Sequence, residues 1–379
     1  MRMLRLALVS TVILVLLGGL GRAAVAQRVG VGTTGAFVPA GSLAESRYLH
    51  TATLLPDGRV LVVAGQSQGG DIATAEVWEP ATDTFAPAGS LAKANEGHTA
   101  TLLPDGRVLV IGGRDEEGYF DSVEVWDPIS ASFGPAGELA QPRTSHTATL
   151  LPDDRVLVVG GQAQVINVTT AEVWDPATAS SAPAGSLDDG RIAHTATVLL
   201  DGRVLVVGGW DGSRALTSAE VWDAANGEFG PAGSLADGRM GHSSTLLPDG
   251  RVLVVGGSGG IGGDLATAEI WDPATDSFAP AGSLADGRLG HSATALLDGR
   301  VLVVGGAVLD VNEDKVQTHS LASVRVWDPA TASFVPAGSL AEPRATHTAT
   351  LLSDGRVLVV GGWGDQGPLA SAEVWEPAE

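Results

Sequence analysis

The chain has 379 residues, a formal net charge of −22 and no cysteine. A surface this acidic repels nucleic acid and anionic lipid, both of which need neutralising Lys and Arg, so neither is an expected partner. Without cysteine there are no disulfides, thiol nucleophiles, zinc–thiolate sites or iron–sulfur clusters, and stability has to come from packing.

The first element reads as an export signal. Arg2 and Arg5 precede the apolar run Leu6–Leu20, and Ala24-Val25-Ala26 follows it, the charged, apolar, small-residue order of a secretory signal peptide. The run is shorter than the ~20 residues a spanning helix needs, and nothing later could span a bilayer. The expected division is a signal peptide over 1–26, a linker over 27–35 and a folded domain over 36–379, placed in a periplasmic, cell-surface or secreted location. Arginine greatly outnumbers lysine, which occurs only at Lys93 and Lys315; with abundant Ala, Gly and Val this codon bias suggests a GC-rich bacterial source.

From residue 36 onward the chain repeats itself, the first property to settle in a sequence of this kind. A His recurs at 50, 98, 146, 194, 242, 291 and 347, and a Trp keeps the same rhythm at 78, 126, 174, 222, 271, 327 and 375. Each unit predicts four strands. HTATLL joins RVLVV through Asp-Gly, a dipeptide suited to a type I′ hairpin. AEVW comes third and stops at Asp-Pro. The fourth, S-F-x-P-A, carries a proline that fits an edge strand. The second strand is apolar at successive positions, implying burial on both faces, as radially stacked sheets would provide. The chain ends after a third strand at Trp375, and GAFVPAGS near Phe37 supplies the missing fourth. The expectation is an all-β, seven-bladed β-propeller of four-stranded antiparallel blades, closed by the N-terminal strand pairing into the C-terminal blade.

The R-x-x-H start, the di-glycine ending the second strand and the aromatics on strands three and four resemble kelch repeats, over about residues 36 to 379. Trp stands where such units often have Tyr, and Phe where they often have Trp. Blade one has Ala64-Gly65 for the di-glycine, and blade three has Ser181 in the Phe slot. The resemblance implies a ring that serves as a binding scaffold. It also permits catalysis, since kelch-type propellers occur in galactose oxidase and in a sialic-acid epimerase. Galactose oxidase uses a tyrosine cross-linked to cysteine beside copper; this chain has no cysteine, and Tyr48 and Tyr119 are its only tyrosines. No cofactor is expected.

The loops between blades and between strands two and three share one face and carry most of the sequence variation, so a ligand site is expected there. The aromatics outside the repeat slots, Tyr48, Tyr119, Phe120, Trp210 and Trp363, all fall in these loops beside Asp115, Asp211, Arg214 and Asp365. Exposed, they would stack on sugar rings or anchor a protein partner; the equal alternative for Trp210 and Trp363, each directly after Gly-Gly, is packing on the adjoining blade. In the long loop of blade six, Asp310, Asn312 and Asp314 have the alternate spacing that opens a calcium loop, although Lys315 and Leu321 break the rest of that pattern; a solvated acidic loop is the preferred reading. Arg325 replaces the Glu found there in the other six blades and is read as drift. The seven His are assigned to architecture, as hydrogen bonds between neighbours, and the second-strand Arg and third-strand Glu are expected to pair. Gly257, Gly259 and Gly262 match a dinucleotide motif, but a strand follows in place of a helix. Asn167-Val168-Thr169 is a glycosylation sequon. The leading expectation is a monomeric binding module for a protein or glycan ligand; the alternatives are a secreted carbohydrate-active enzyme and a structural envelope component.

Overall fold

The computed structural model describes residues 35–260, 263–312 and 315–378. The signal segment and nearly all of the linker lie outside the described residues, and among those described no helix is long and apolar enough to cross a membrane. Seven four-stranded antiparallel sheets make up the ring, and in six of them the strands lie in sequence order from first to fourth. In blade one these are Thr51–Leu54, Val60–Val63, Thr74–Glu79 and Thr84–Ser90. The seventh blade draws its outermost strand from the other end of the chain: Gly35–Ser42 pairs antiparallel with Ser371–Pro377, Phe37 opposite Trp375.

The burial pattern explains why the wedge must be repeated. Every residue of the second strand Val60–Val63 is fully buried, and the corresponding strands of the other blades are equally enclosed. Both faces of one sheet therefore need a neighbouring sheet. Each third-strand Trp fills the seam toward the preceding blade. Trp126 packs on Leu61, Val63, Ala75 and Val77, while Trp78 packs on Leu358, Val360, Ala372 and Val374 and so carries the stacking across the junction between blades seven and one. Burying such a ring contributes about 1.5–3 kcal/mol by the area rule for large apolar side chains. The indole N–H of Trp78 donates to Ala40 O at 3.1 Å, and that of Trp126 to Ala88 O at 2.9 Å, so the rings are pinned in orientation as well. The proline of each fourth strand sits on an outer edge, bonded to one neighbour only.

The hairpin between strands one and two differs from the expected type I′ turn. Gly58 N–H donates to Leu55 O, and Leu55 N–H to Arg59 O. Only the glycine has positive φ, at 88°. This is a type I turn followed by a left-handed residue, the geometry of a longer hairpin loop. Pro56 fits this turn, since its ring holds φ negative, but the same two bonds form in blades four, six and seven, where Leu200, Leu297 and Ser353 take its place.

Candidate functional site

The seven His form a structural circuit. His98 Nε2 lies 3.0 Å from Thr51 Oγ1 of the preceding blade, His146 3.0 Å from Thr99, and His194 3.1 Å from Thr147. The series continues through His242, His291 and His347 and closes with His50 on Thr348, at 3.0 Å. Burial lowers every one of these imidazoles, to about 3 for His50 and about 4 for His98. They are neutral, engaged side chains, and among the described residues no group of three or more His, Cys, Asp or Glu could hold a metal ion.

The expected pairing of second-strand Arg with third-strand Glu is corrected. The second-strand Arg59 turns back onto Asp57 of its own hairpin, at 2.7 Å. The third-strand Glu76 instead receives Arg47, three residues before the first-strand His, at 2.8 Å. Arg47 is fully buried, and its other guanidinium nitrogen donates to Ala64 O and Thr74 O, so one side chain ties the entry loop to strands two and three. Blade two departs from this pattern: Asn95 replaces the Arg and keeps one of its bonds, Nδ2 to Gly112 O at 2.8 Å.

The loop aromatics prove to be mostly packed, which corrects the expectation that they are exposed. Trp210 is 5% exposed and lies against Ile192 and Met240. Tyr48 and Phe120 are likewise buried. Tyr48 donates its hydroxyl to Gln66 and meets the half-buried Trp363 edge to face, ring centres 4.9 Å apart; burial, helped by Glu96 and Asp71, pushes the phenol up to about 12. Lys93 Nζ stands 5.1 Å from the centre of the Phe120 ring. Tyr119, half-buried, donates to Gln164 O of the next blade at 2.7 Å. These residues fall in separate neighbourhoods, at the junctions of blades seven and one, one and two, two and three, and four and five. They clamp loops together and do not make one aromatic rim.

A groove of about 500 Å³ opens on the variable face between blades three and four, lined by Val165, Ile166, Asn167, Asp189, Trp210 and Asp211 among others. It brings together two of the expected residues, Trp210 and Asp211; Arg214 is exposed beside it, while Trp363 and the exposed Asp365 belong to blade seven. Asn167 Nδ2 donates to Trp210 O at 2.7 Å, so the sequon amide is already engaged. Burial alone raises the Asp211 carboxyl, but hydrogen bonds from Arg214 and Ser213 outweigh it and leave the group below its ordinary value. The lip is Val165, 92% exposed, and Ile166, 60% exposed. Sequence reasoning passed over these two; the signal was an adjacent pair of β-branched residues in an otherwise polar loop tip, QAQVINV.

Of the calcium candidates, the structure describes the backbone of Asp310 and Asn312. Asp314 lies outside the described residues. Asp310 and Asn312 belong to the strand Ala307–Asn312, which pairs in register with Lys315–Ser320. That backbone is an extended two-stranded ribbon. The next strand after Gly257 is Thr267–Asp272; Gly262 of the motif lies outside the described residues.

Three stretches, residues 98–133, 191–231 and 239–285, match the family model of the Kelch motif, which supports the kelch-repeat family for this seven-bladed ring. No curated protein matches the sequence. Among solved structures, the chain is similar to a fungal alcohol oxidase of the AA5 family in complex with copper, with a TM-score of 0.71 and 18% identity over 90% of this chain and 75% of that one. At that identity the likeness shows a shared fold.

Proposed function

We propose that the protein is an exported bacterial interaction module that binds a protein ligand through the groove between blades three and four. The observation that carries this reading is the exposed apolar lip, Val165 and Ile166, above the polar walls made by Asn167, Asp189 and Asp211. Exposed apolar side chains next to placed polar groups are the ordinary make-up of a recognition surface. A protein ligand is favoured over a glycan because Trp210 presents no free face on which a sugar could stack. Exposed apolar residues on the opposite face, Ile129, Leu200 and Leu297, belong to different blades and stand singly, a pattern that needs no partner. Copper chemistry like that of the structural neighbour finds no matching residues, since cysteine is absent and the repeat His are committed to their neighbours.

The test is a panel of secreted proteins and glycans probed with the wild type, a Val165→Asp/Ile166→Asp variant and a Leu200→Asp/Leu297→Asp control. The expected result is a protein ligand lost only with the first pair, at unchanged melting temperature. A ligand bound equally by all three forms, or lost only with the control pair, would refute the assignment to this groove.

A further inference from the structure

The repeat builds the same carboxylate cradle at the blade entries, and one of them lacks its carboxylate. In five blades the third-strand Glu lies between an entry-loop guanidinium and the backbone N–H three residues earlier. Arg47 and Ala44 hold Glu76 at 2.8 and 2.9 Å. Arg239 and Ala236 hold Glu269 at 2.6 and 3.0 Å, and Arg344 and Ala341 hold Glu373 at 2.8 and 2.9 Å. Glu172 and Glu220 are held in the same way. Blade two keeps the carboxylate, Glu124 on the Ala92 N–H, without the Arg.

Blade six keeps the donors. Arg288 is fully buried and anchored as its counterparts are, with Nη1 on Gly305 O at 2.8 Å and Nη2 on Ser323 Oγ at 3.0 Å. The acceptor's place in the third strand is taken by Arg325. Among the described residues, no carboxylate is in ion-pair contact with either arginine, and none accepts the Ala285 N–H. Arg325 Nε is buried without a partner; so is Arg288 Nε, as Arg239 Nε is even beside Glu269, so the sign that sets blade six apart is the Arg325 atom. Burial and the neighbouring Arg325 lower Arg288, against the pull of Asp286, to about 10.

We propose that this seam binds a small carboxylate anion from solution, seated where the Glu side chain lies in the sibling blades. A buried guanidinium is stable only with a counter-charge and filled hydrogen bonds, and the sibling cradles show the shape those donors accept, two oxygens about one carboxylate apart. Ala285 and Asp286, which border the cradle, are exposed. Arg325, half-buried at the register position of the sibling Glu, adds a second positive group close enough to act on Arg288, and the one-carboxylate span of the sibling cradles points to an anion of formate or acetate size.

The experiment replaces sodium chloride with sodium formate at fixed ionic strength and follows thermal unfolding of the wild type and of Arg325→Glu. That variant supplies the missing carboxylate from the chain itself. The wild type should melt higher in formate than in chloride. Arg325→Glu should melt higher than the wild type in chloride, and the formate concentration needed to raise its melting temperature should be about tenfold higher or more, as expected for the loss of a charge-assisted bond. Equal responses in the two proteins, or equal effects of formate and chloride on the wild type, would overturn the proposal. Should the variant fail to fold, NMR of 13C-formate with the wild type decides: a saturable shift supports the site, and a non-saturable one refutes it.

Discussion

Replacing Glu172 by Gln isolates what the buried ion pairs contribute. Glu172 is 3% exposed and accepts Arg143 Nη2 at 2.5 Å, Ala140 N–H at 2.7 Å and Ser181 Oγ at 2.8 Å. The variant keeps the size of the side chain but leaves the Arg143 charge unopposed in a fully buried position. Breaking such a pair from one side costs about 3–5 kcal/mol. The same blade supplies its own control: Asp153 pairs with Arg155 at 2.6 Å, but both side chains are about half exposed, and such surface pairs contribute about 0–1 kcal/mol. Glu172→Gln should therefore lower the urea midpoint clearly, while Asp153→Asn should shift it little, with unchanged slopes in both. The double change Arg143→Met/Glu172→Leu should recover most of the loss, because paired apolar replacement removes the desolvation cost together with the attraction. If the two single variants are equally mild, the entry-loop pairs are not the framework inferred for them.

Acid should loosen the ring through its histidines. Their folded values are lowered, to about 3 for His50, His194, His291 and His347, against an unfolded value near 6.5. The unfolded chain then binds more protons between those limits, so stability is full above about pH 6.5 and falls as pH drops toward 3, by up to about 1.4 kcal/mol per pH unit for each histidine. Melting temperature against pH should decline through this window, and His194→Gln should flatten the slope; a curve flat from pH 7 to 5 would contradict the buried, neutral circuit. Gly112→Ala should destabilise by more than 1 kcal/mol, on the order expected of a strained left-handed residue, because φ is +57° and a Cβ would lie 2.5 Å from Arg143 O. Calorimetry checks it, and a neutral result would mean that the entry loop of blade three can yield.

The ring was legible because each signal recurred seven times: the doubly buried RVLVV strand demanded neighbours, and the Phe37 segment completed the blade of Trp375. Ion-pair partners were not legible, since every position in a unit keeps the same spacing to every other and periodicity cannot tell Arg47 from Arg59 as the partner of Glu76. The hairpin type was missed because Asp-Gly reads as a two-residue loop, whereas the loop takes in three residues, Pro56-Asp57-Gly58, closed by Leu55 and Arg59. The aromatics were misjudged for a related reason: lying outside a repeat slot marks a residue as variable, but Trp210 and Phe120 vary to seal particular junctions between loops. Val165 and Ile166 were overlooked because apolar residues were sought only as rings.

The two-ended seventh blade sets a timetable for synthesis. The strand Gly35–Ser42 emerges from the ribosome early, yet its hydrogen-bonding partner Ser371–Pro377 comes more than 320 residues later. At about 5–20 residues per second this strand waits for tens of seconds, a bare template open to any other nascent chain. Its composition answers that exposure: Pro39 removes a donor, Gly41 takes a left-handed turn at φ 81°, and the register shifts between Pro39 and Ser42, so a foreign strand could zip along only part of it.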